Sequence, residues 1–264
     1  MIRATQKLTE LALTMKDELI RTDKDHVVYL RLNRPDKLNT LSENVIGRLE
    51  QEIESINADP DVRCVVISAE GRAFCAGHDL EQMRSNPEHA YYQTLFKRCG
   101  KMMQSLVSLP VPVIAQVHGA AVAAGCQLVA SCDLAIAGKR AKFAVPGISL
   151  GLFCSTPAVA LSRSVSAKRA FDMLVTGDMI SAETAVESGL ISEVVEDDEL
   201  EAAVQAKVEK ILSKNAAAIR YGKSMFHPQR QMDLAEAYDF AAEVMAQNMM
   251  DPGATEGIDR FLGR

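Results

Sequence analysis

His118-Gly-Ala-Ala-Val-Ala-Ala-Gly-Cys-Gln-Leu-Val-Ala-Ser-Cys-Asp133 follows directly on the apolar run Val113 to Val117 and leads into a second one, Leu134 to Ala137. The two flanking runs are apolar and too short for helices, so they read as buried strands. Between them, small residues at 119–121 and 123–125 make a turn, and a helix is expected from about Ala124 to Ser131. Small side chains let the backbone approach a ligand. They also expose the first N–H groups of the helix, where the dipole favours negative charge. The same residues suit close packing of a helix on a sheet, and this stretch alone does not separate the two readings.

Upstream, His26 to Leu32 and Arg63 to Ala69 are further β-branched, apolar runs. Ser42 opens a helix expected to run to about Ala58, with an N-cap followed by apolar residues at helical spacing. Glu88 to Leu109 predicts a long helix, stopped by Pro110 and Pro112. Strands and helices alternate and the strands are almost wholly apolar. That combination predicts an α/β core with parallel pairing and both sheet faces covered. Past about residue 155 the pattern is helical. Segments 181–189, 197–212, 215–225, 234–249 and 257–262 all read as helices. The expected layout is an N-terminal arm over 1–24, a core over 25–200 and a helical C-terminal region over 201–264. Met245, Met249, Met250 and Phe261 give that last region apolar faces, suited either to a neighbouring subunit or to its own core.

Composition bounds the function. The chain has 264 residues, 48% of them hydrophobic, and a net charge of −6. It carries no basic run, which argues against nucleic acid as a partner. No apolar stretch nears the ~20 residues of a membrane span. Met1 to Ile20 mixes acids with bases and reads as a short helix or loose arm, not a signal peptide. A cytoplasmic protein, or one of the mitochondrial matrix if eukaryotic, is therefore expected. Its six cysteines (Cys64, Cys75, Cys99, Cys126, Cys132, Cys154) should be free thiols. No Cys-x-x-Cys pair occurs, and no metal site is expected.

A second segment, Gly71-Arg-Ala-Phe-Cys-Ala-Gly-His-Asp-Leu80, also follows a strand. Alone it reads better as a plain strand-to-helix connection than as a ligand-binding turn. Together, two strand ends that each offer a free N–H can bind one oxyanion between them.

With Asn33-Arg-Pro-Asp-Lys-Leu-Asn39, Ala73-Phe-Cys-Ala-Gly-His-Asp79, Ala124-Gly-Cys-Gln-Leu-Val-Ala-Ser-Cys-Asp133 and Phe143-Ala-Val-Pro-Gly-Ile-Ser-Leu-Gly151 in this order, the chain from about His26 to Arg264 resembles the enoyl-CoA hydratase/isomerase (crotonase) family. Within it the chain is most similar to the enoyl-CoA hydratase domain-containing protein 3 group, on AGHDL, AAGCQLVASCD and GLFCSTP. The resemblance implies a crotonase-like α/β fold, a spiral of β-β-α units with a helical C-terminal oligomerisation region. It implies an acyl-coenzyme A thioester as substrate, no covalently bound cofactor, and a homotrimer or dimer of trimers. It assigns an oxyanion hole to the backbone N–H groups of His78 and Ala124, the latter usually glycine in the family. Substrate contacts would come from Lys37, Leu38, Ala76, His78, Asp79, Leu80 and Ala124, with coenzyme A meeting Lys37 and Leu38.

The same resemblance implies two departures. Hydratases of the family place glutamates where this chain has Gln127 and Gly147. Gln127 can hold a water but cannot take its proton, and Gly147 can do neither. Each general acid or base contributes roughly 100- to 10,000-fold, so ordinary hydratase and simple isomerase activity are not expected. Stand-ins within reach by sequence are His78, Asp79, Glu81, His89, Ser149, Cys154, Ser155 and Thr156. Each also has a structural reading: a helix start for Asp79 and Glu81, a solvated side chain for His89, a small buried thiol for Cys154. The reading is an acyl-CoA enzyme that stabilises a thioester enolate with an altered site. The alternatives are decarboxylation of a malonyl-type thioester and acyl-CoA binding without chemistry. Methylmalonyl-CoA decarboxylases of the family also have His at position 78, but Tyr at position 154.

Overall fold

The computed structural model describes residues 17–264. Strand β1 (Leu19–Lys24) turns back through Asp25 and His26, both at positive φ, into β2 (Val27–Leu32). Positive φ at both turn residues matches the right-handed twist of a two-residue hairpin. Helix α1 (Glu43–Ala58) begins where the Ser42 hydroxyl accepts the Val45 N–H. Then come β3 (Cys64–Ala69), a short α2 (Leu80–Ser85) and the long α3 (His89–Ser108). Next are β4 (Val113–Val117), β5 (Ala120–Val122), α4 (Ala124–Ser131), β6 (Leu134–Gly138) and β7 (Lys142–Ala144). A 3-10 turn at Pro146–Leu150 leads to α5 (Ser155–Ser164) and α6 (Ala167–Thr176). β8 (Ile180–Ser181), α7 (Ala182–Glu187) and β9 (Glu193–Val195) precede α8 (Leu200–Leu212). The chain closes with α9 (Ala216–Gln229), α10 (Leu234–Met249) and α11 (Pro252–Leu262).

The strands form two sheets. The larger has the order β1-β2-β3-β4-β6-β9 and the smaller β5-β7-β8. The β2, β3, β4, β6 and β9 strands pair in parallel, as the apolar runs lead one to expect. The unit is a strand in each sheet followed by a helix: β4-β5-α4 is one turn of the spiral. This is the crotonase architecture.

Period-two alternation sorts the side chains of the large sheet. Val28, Leu30, Val65, Ile67 and Ala115 join the main core with α1 and α3. Val27, Cys64, Val66, Ile114 and Ile136 face the other way and are covered by Leu200, Val204 and Val208 of α8. Both faces are thus buried.

Three expectations need correction. The arm expected over 1–24 lies outside the described residues only as far as 16. From Leu19 it is β1, antiparallel to β2 along its whole length. Its turn is Asp-His and not the glycine-bearing pair that marks a hairpin in sequence. The region after 155 is not purely helical. β8 and β9 are two and three residues long, too short to show a period, and exist because they pair with β7 and β6. The boundary expected at 200/201 falls inside the core, because α8 covers the sheet.

Helices α9 to α11 contain no fully buried residue. An ionic cluster ties α9 down. The Asp133 carboxylate accepts from Val113 N–H (2.7 Å) and Lys223 Nζ (2.6 Å), and meets His227 Nε2 at 2.8 Å. Lys223 also donates to the Val111 carbonyl at 2.7 Å, and its side chain is only 7% exposed. Burial pulls the Lys223 pKa down while Asp133 pulls it up, and burial wins. Removing one partner of such a pair strands the other charge, at a cost of about 3–5 kcal/mol. Asp133→Ala is expected to lose about that much in urea unfolding, and Asp133→Ala with Lys223→Met to regain part of it. A single variant as stable as the parent would show that the cluster does not hold α9.

Candidate functional site

The site forms where the ends of β3 and β4 meet beyond the large sheet. Cys75 forms a parallel bridge with Ala121. Its N–H donates to Ala120 O at 3.1 Å and its carbonyl accepts from Val122 N–H at 2.8 Å. The backbones touch, and this needs glycine. A Cβ at Gly125 would lie 2.1 Å from the Cys75 carbonyl oxygen. Gly77 has φ +97°, and a Cβ there would meet Ala123 Cβ at 2.9 Å and Ala124 N at 3.3 Å.

Several N–H groups of these two segments have no acceptor among the described residues, those of His78 and Ala124 among them. Ala124 is the first residue of α4, whose opening N–H groups have no partner within the helix. Ala123 before it sits at φ 52°, ψ −117°, a conformation strained for a residue with a Cβ. The strain is the local condition for turning β5 abruptly into α4.

Beside these N–H groups lies a cavity of about 440 Å³. Its apolar wall comes from Leu80, Met83, Phe96, Leu150, Leu152 and Phe153. Ala76, His78, Leu80, Ala124 and Gly147, five of the residues expected from sequence, line it. Lys37, Leu38, Asp79 and Gln127 do not.

Those four are placed as follows. Lys37 is half-exposed and paired with Glu81 at 2.7 Å, which raises its pKa. Leu38 is left-handed (φ 52°), and its carbonyl accepts the Ala76 N–H at 3.0 Å, so it braces the site through its backbone. Asp79 caps α2 through Gln82 N–H and pairs with Arg34 at 3.2 Å. Burial pushes its pKa up, but the Gln82 N–H and the Arg34 guanidinium outweigh it and hold the carboxyl below its usual range. Gln127 is only 4% exposed within α4, and its Oε1 has no partner among the described residues.

Gly147 lines the cavity, but the space its side chain would take is filled. A Cβ there would lie 2.6 Å from the Leu152 carbonyl and 2.7 Å from Cys154 Sγ. The Gly147 N–H in turn points at that sulfur, at 3.3 Å. Of the stand-ins, His78, Cys154, Ser155 and Thr156 line the cavity; Asp79, Glu81, His89 and Ser149 do not. Burial raises the Cys154 pKa and the Gly147 N–H only partly offsets this, so the thiol stays protonated. Asp79 and Glu81 open α2, and His89 is exposed at the start of α3, as their structural readings have it.

His78 packs edge-on against Phe96, with ring centroids 5.4 Å apart and planes at 79°. Its Nε2 is buried without a partner among the described residues. Burial lowers its pKa to about 4. At neutral pH the imidazole is therefore uncharged.

Sequence reading missed three contributors. Asn39 is buried, donates to the carbonyls of Glu70 (2.7 Å) and Ala73 (2.8 Å), and accepts Arg34 N–H (2.8 Å), tying the 34–39 loop to the segment before His78. Tyr92 and Phe96 bring α3 into the cavity wall. Their i, i+4 spacing was the only signal, and it looks the same as ordinary core packing.

Residues 22–264 match the family model described as enoyl-CoA hydratase/isomerase. The chain is 42% identical over 231 residues to the mitochondrial enoyl-CoA hydratase domain-containing protein 3 of Xenopus laevis, covering 88% of this chain and 79% of that one. The human protein of that name is 41% identical, covering 90% and 78%. Among solved structures, an enoyl-CoA hydratase from Mycobacterium smegmatis superposes with TM-score 0.93 at 50% identity, covering 94% of this chain and 97% of that one. Human enoyl-CoA hydratase domain-containing protein 3 superposes with TM-score 0.90 at 40% identity, covering 93% and 97%.

The His78 environment sets a pH dependence. The folded pKa (about 4) lies below the unfolded value of about 6.5, so the unfolded chain binds the extra proton first. This contribution is complete above pH 6.5 and is lost as pH falls toward 4, amounting to about 3 kcal/mol. Unfolding of the parent and of His78→Gln, followed from pH 7.5 to 4, should diverge in that window. Parallel curves would show that His78 titrates normally.

Proposed function

Because the chain belongs to the enoyl-CoA hydratase/isomerase family, we propose that it is an enzyme of acyl-coenzyme A thioesters that holds the thioester carbonyl between the N–H groups of His78 and Ala124. The observation that carries this is that the two segments joined by the Cys75–Ala121 bridge both line one mainly apolar cavity with residues, His78 and Ala124, whose N–H groups have no acceptor among the described residues. Donors held in place before reaction stabilise the negative charge that develops on an enolate oxygen without reorganising. In this reading Lys37 and Leu38 flank the coenzyme A portion, and Ala76 and Leu80 border the thioester.

The reading separates binding from proton transfer. Neither Gln127 nor Gly147 can serve as a base, and Cys154 Sγ takes the space beside Gly147. His78 is neutral and the Cys154 thiol protonated, so neither brings a charge to the cavity near pH 7. Hydration, which must take a proton from water and return one to carbon, has no matched pair of groups. A second reading, acyl-CoA binding without turnover, is favoured by that same neutrality.

The assembly proposed is a homotrimer or dimer of trimers. Leu234, Tyr238 and Met245 on α10, Met250 just after it and Phe261 on α11 leave large apolar side chains exposed, Phe261 at 89%, and a second subunit would cover such a face.

Binding to a thioester is compared with binding to the thioether of the same chain, which lacks the carbonyl. Two N–H donors at about 1 kcal/mol each favour the thioester by roughly tenfold or more. Equal affinities would remove the oxyanion hole from the account. Crotonyl-CoA hydration should run at least ~100-fold below that of a relative with both glutamates. Turnover within a panel of acyl-CoA thioesters separates the enzyme from the silent binder. Light scattering should give a trimer or its multiple, and a monomer would exclude the proposed assembly.

A further inference from the structure

Resting on the acyl-CoA reading above, we infer that the thioester this protein takes carries an uncharged, apolar acyl group well beyond four carbons, and not a short or carboxylate-bearing one.

The first ground is size. An apolar cavity of ~150 Å³ accommodates benzene. The cavity here, about 440 Å³, is nearly three times that. A four-carbon chain would leave most of it unfilled, and unfilled apolar space forfeits the dispersion contacts of its lining.

The second ground is charge. Among the described residues no Lys, Arg, Asp or Glu lines the cavity. His78 is uncharged above about pH 4, and the Tyr92 hydroxyl is engaged with the Met83 carbonyl at 3.2 Å. A second carboxylate on the acyl group would enter without a cation to meet it, and would give up water for a mainly apolar wall, which is costly. The chemistry of the wall therefore selects against malonyl- and succinyl-type thioesters.

The third ground is continuity. Leu80, Leu150, Leu152 and Phe153 line the cavity, and each is 46% exposed or more. On the far side of Tyr92 and Phe96 lies a second, more open depression of about 630 Å³, which shares Tyr92, Phe96 and Thr156 with the first. Phe96 is thus the partition against which the end of a long chain would stop. It is also the ring on which His78 rests, so the residue that limits chain length sits one contact from the proposed oxyanion donor.

The test is calorimetric affinity of the full chain for free coenzyme A and for its acetyl, butyryl, hexanoyl, octanoyl, decanoyl, malonyl and succinyl thioesters. Affinity should rise roughly tenfold per two methylenes past acetyl until the cavity is full. Malonyl- and succinyl-CoA should bind at least tenfold more weakly than butyryl-CoA. Phe96→Ala should move the preferred chain longer and Phe96→Trp shorter, with affinity for free coenzyme A retained in both. Opposite shifts from one position are not produced by partial unfolding. A flat chain-length series, or malonyl-CoA binding as tightly as octanoyl-CoA, overturns this inference and leaves the acyl-CoA reading standing. No affinity for coenzyme A or any of its thioesters overturns that reading, and this inference with it.

Discussion

The contact on which the rest depends is the backbone pairing of Cys75 with Ala120 and Val122. Two hydrogen bonds, 3.1 and 2.8 Å, join loops that leave the large sheet from different strands. They require main chain to lie on main chain, so side chains must be absent or minimal on the contacting faces. Gly77 and Gly125 meet that requirement; a Cβ at either would enter the other segment. Once the loops are joined, Ala121 lies in the small sheet between Cys75 and Phe143 of β7. The helix α4 then starts at a fixed place, and its first N–H lies beside Gly77, the residue before His78. The strained backbone of Ala123 is tolerated because this packing determines it from both sides.

Around that contact the protein separates charge from the cavity. Arg34 joins Glu18 and Asp79, Lys37 meets Glu81, and the Asp133 cluster lies where α9 docks. These pairs brace the loops and the C-terminal helices from outside the cavity wall. The cavity keeps a neutral imidazole, a protonated thiol and apolar side chains. Such a wall offers shape and apolar surface and no charged side chain.

The strands of the large sheet were legible because each is a run of apolar residues buried on both faces, as in Cys64–Ala69 and Val113–Val117. Helices with a side-chain cap and a single apolar face, such as α1 from Ser42, were legible for the same local reason. β1 was not, since Leu-Ile-Arg-Thr-Asp-Lys has no strict alternation and its turn lacks glycine. β8 and β9 were not, since two or three residues hold no period. Of the site, the cavity positions 76, 78, 80, 124 and 147 came from the family resemblance. Asn39, Tyr92 and Phe96 did not, because a buried amide in a loop and an aromatic pair on a helix look alike whether they serve packing or a ligand.

The sequence by itself determined the fold class, the two segments that meet at the site, and the absence of carboxylates at positions 127 and 147. Those are statements about residue type and order, and local physics reads them. Only the tertiary structure decided that Gln127 is buried off the cavity, that Cys154 fills the space beside Gly147, and that His78 is neutral against Phe96. Each of these depends on how the chain folds back on itself: α4 packed into the core, a carbonyl and a sulfur five and seven residues after Gly147, a ring from another helix. Desolvation and steric exclusion are properties of a packed volume, and no stretch of sequence contains that volume.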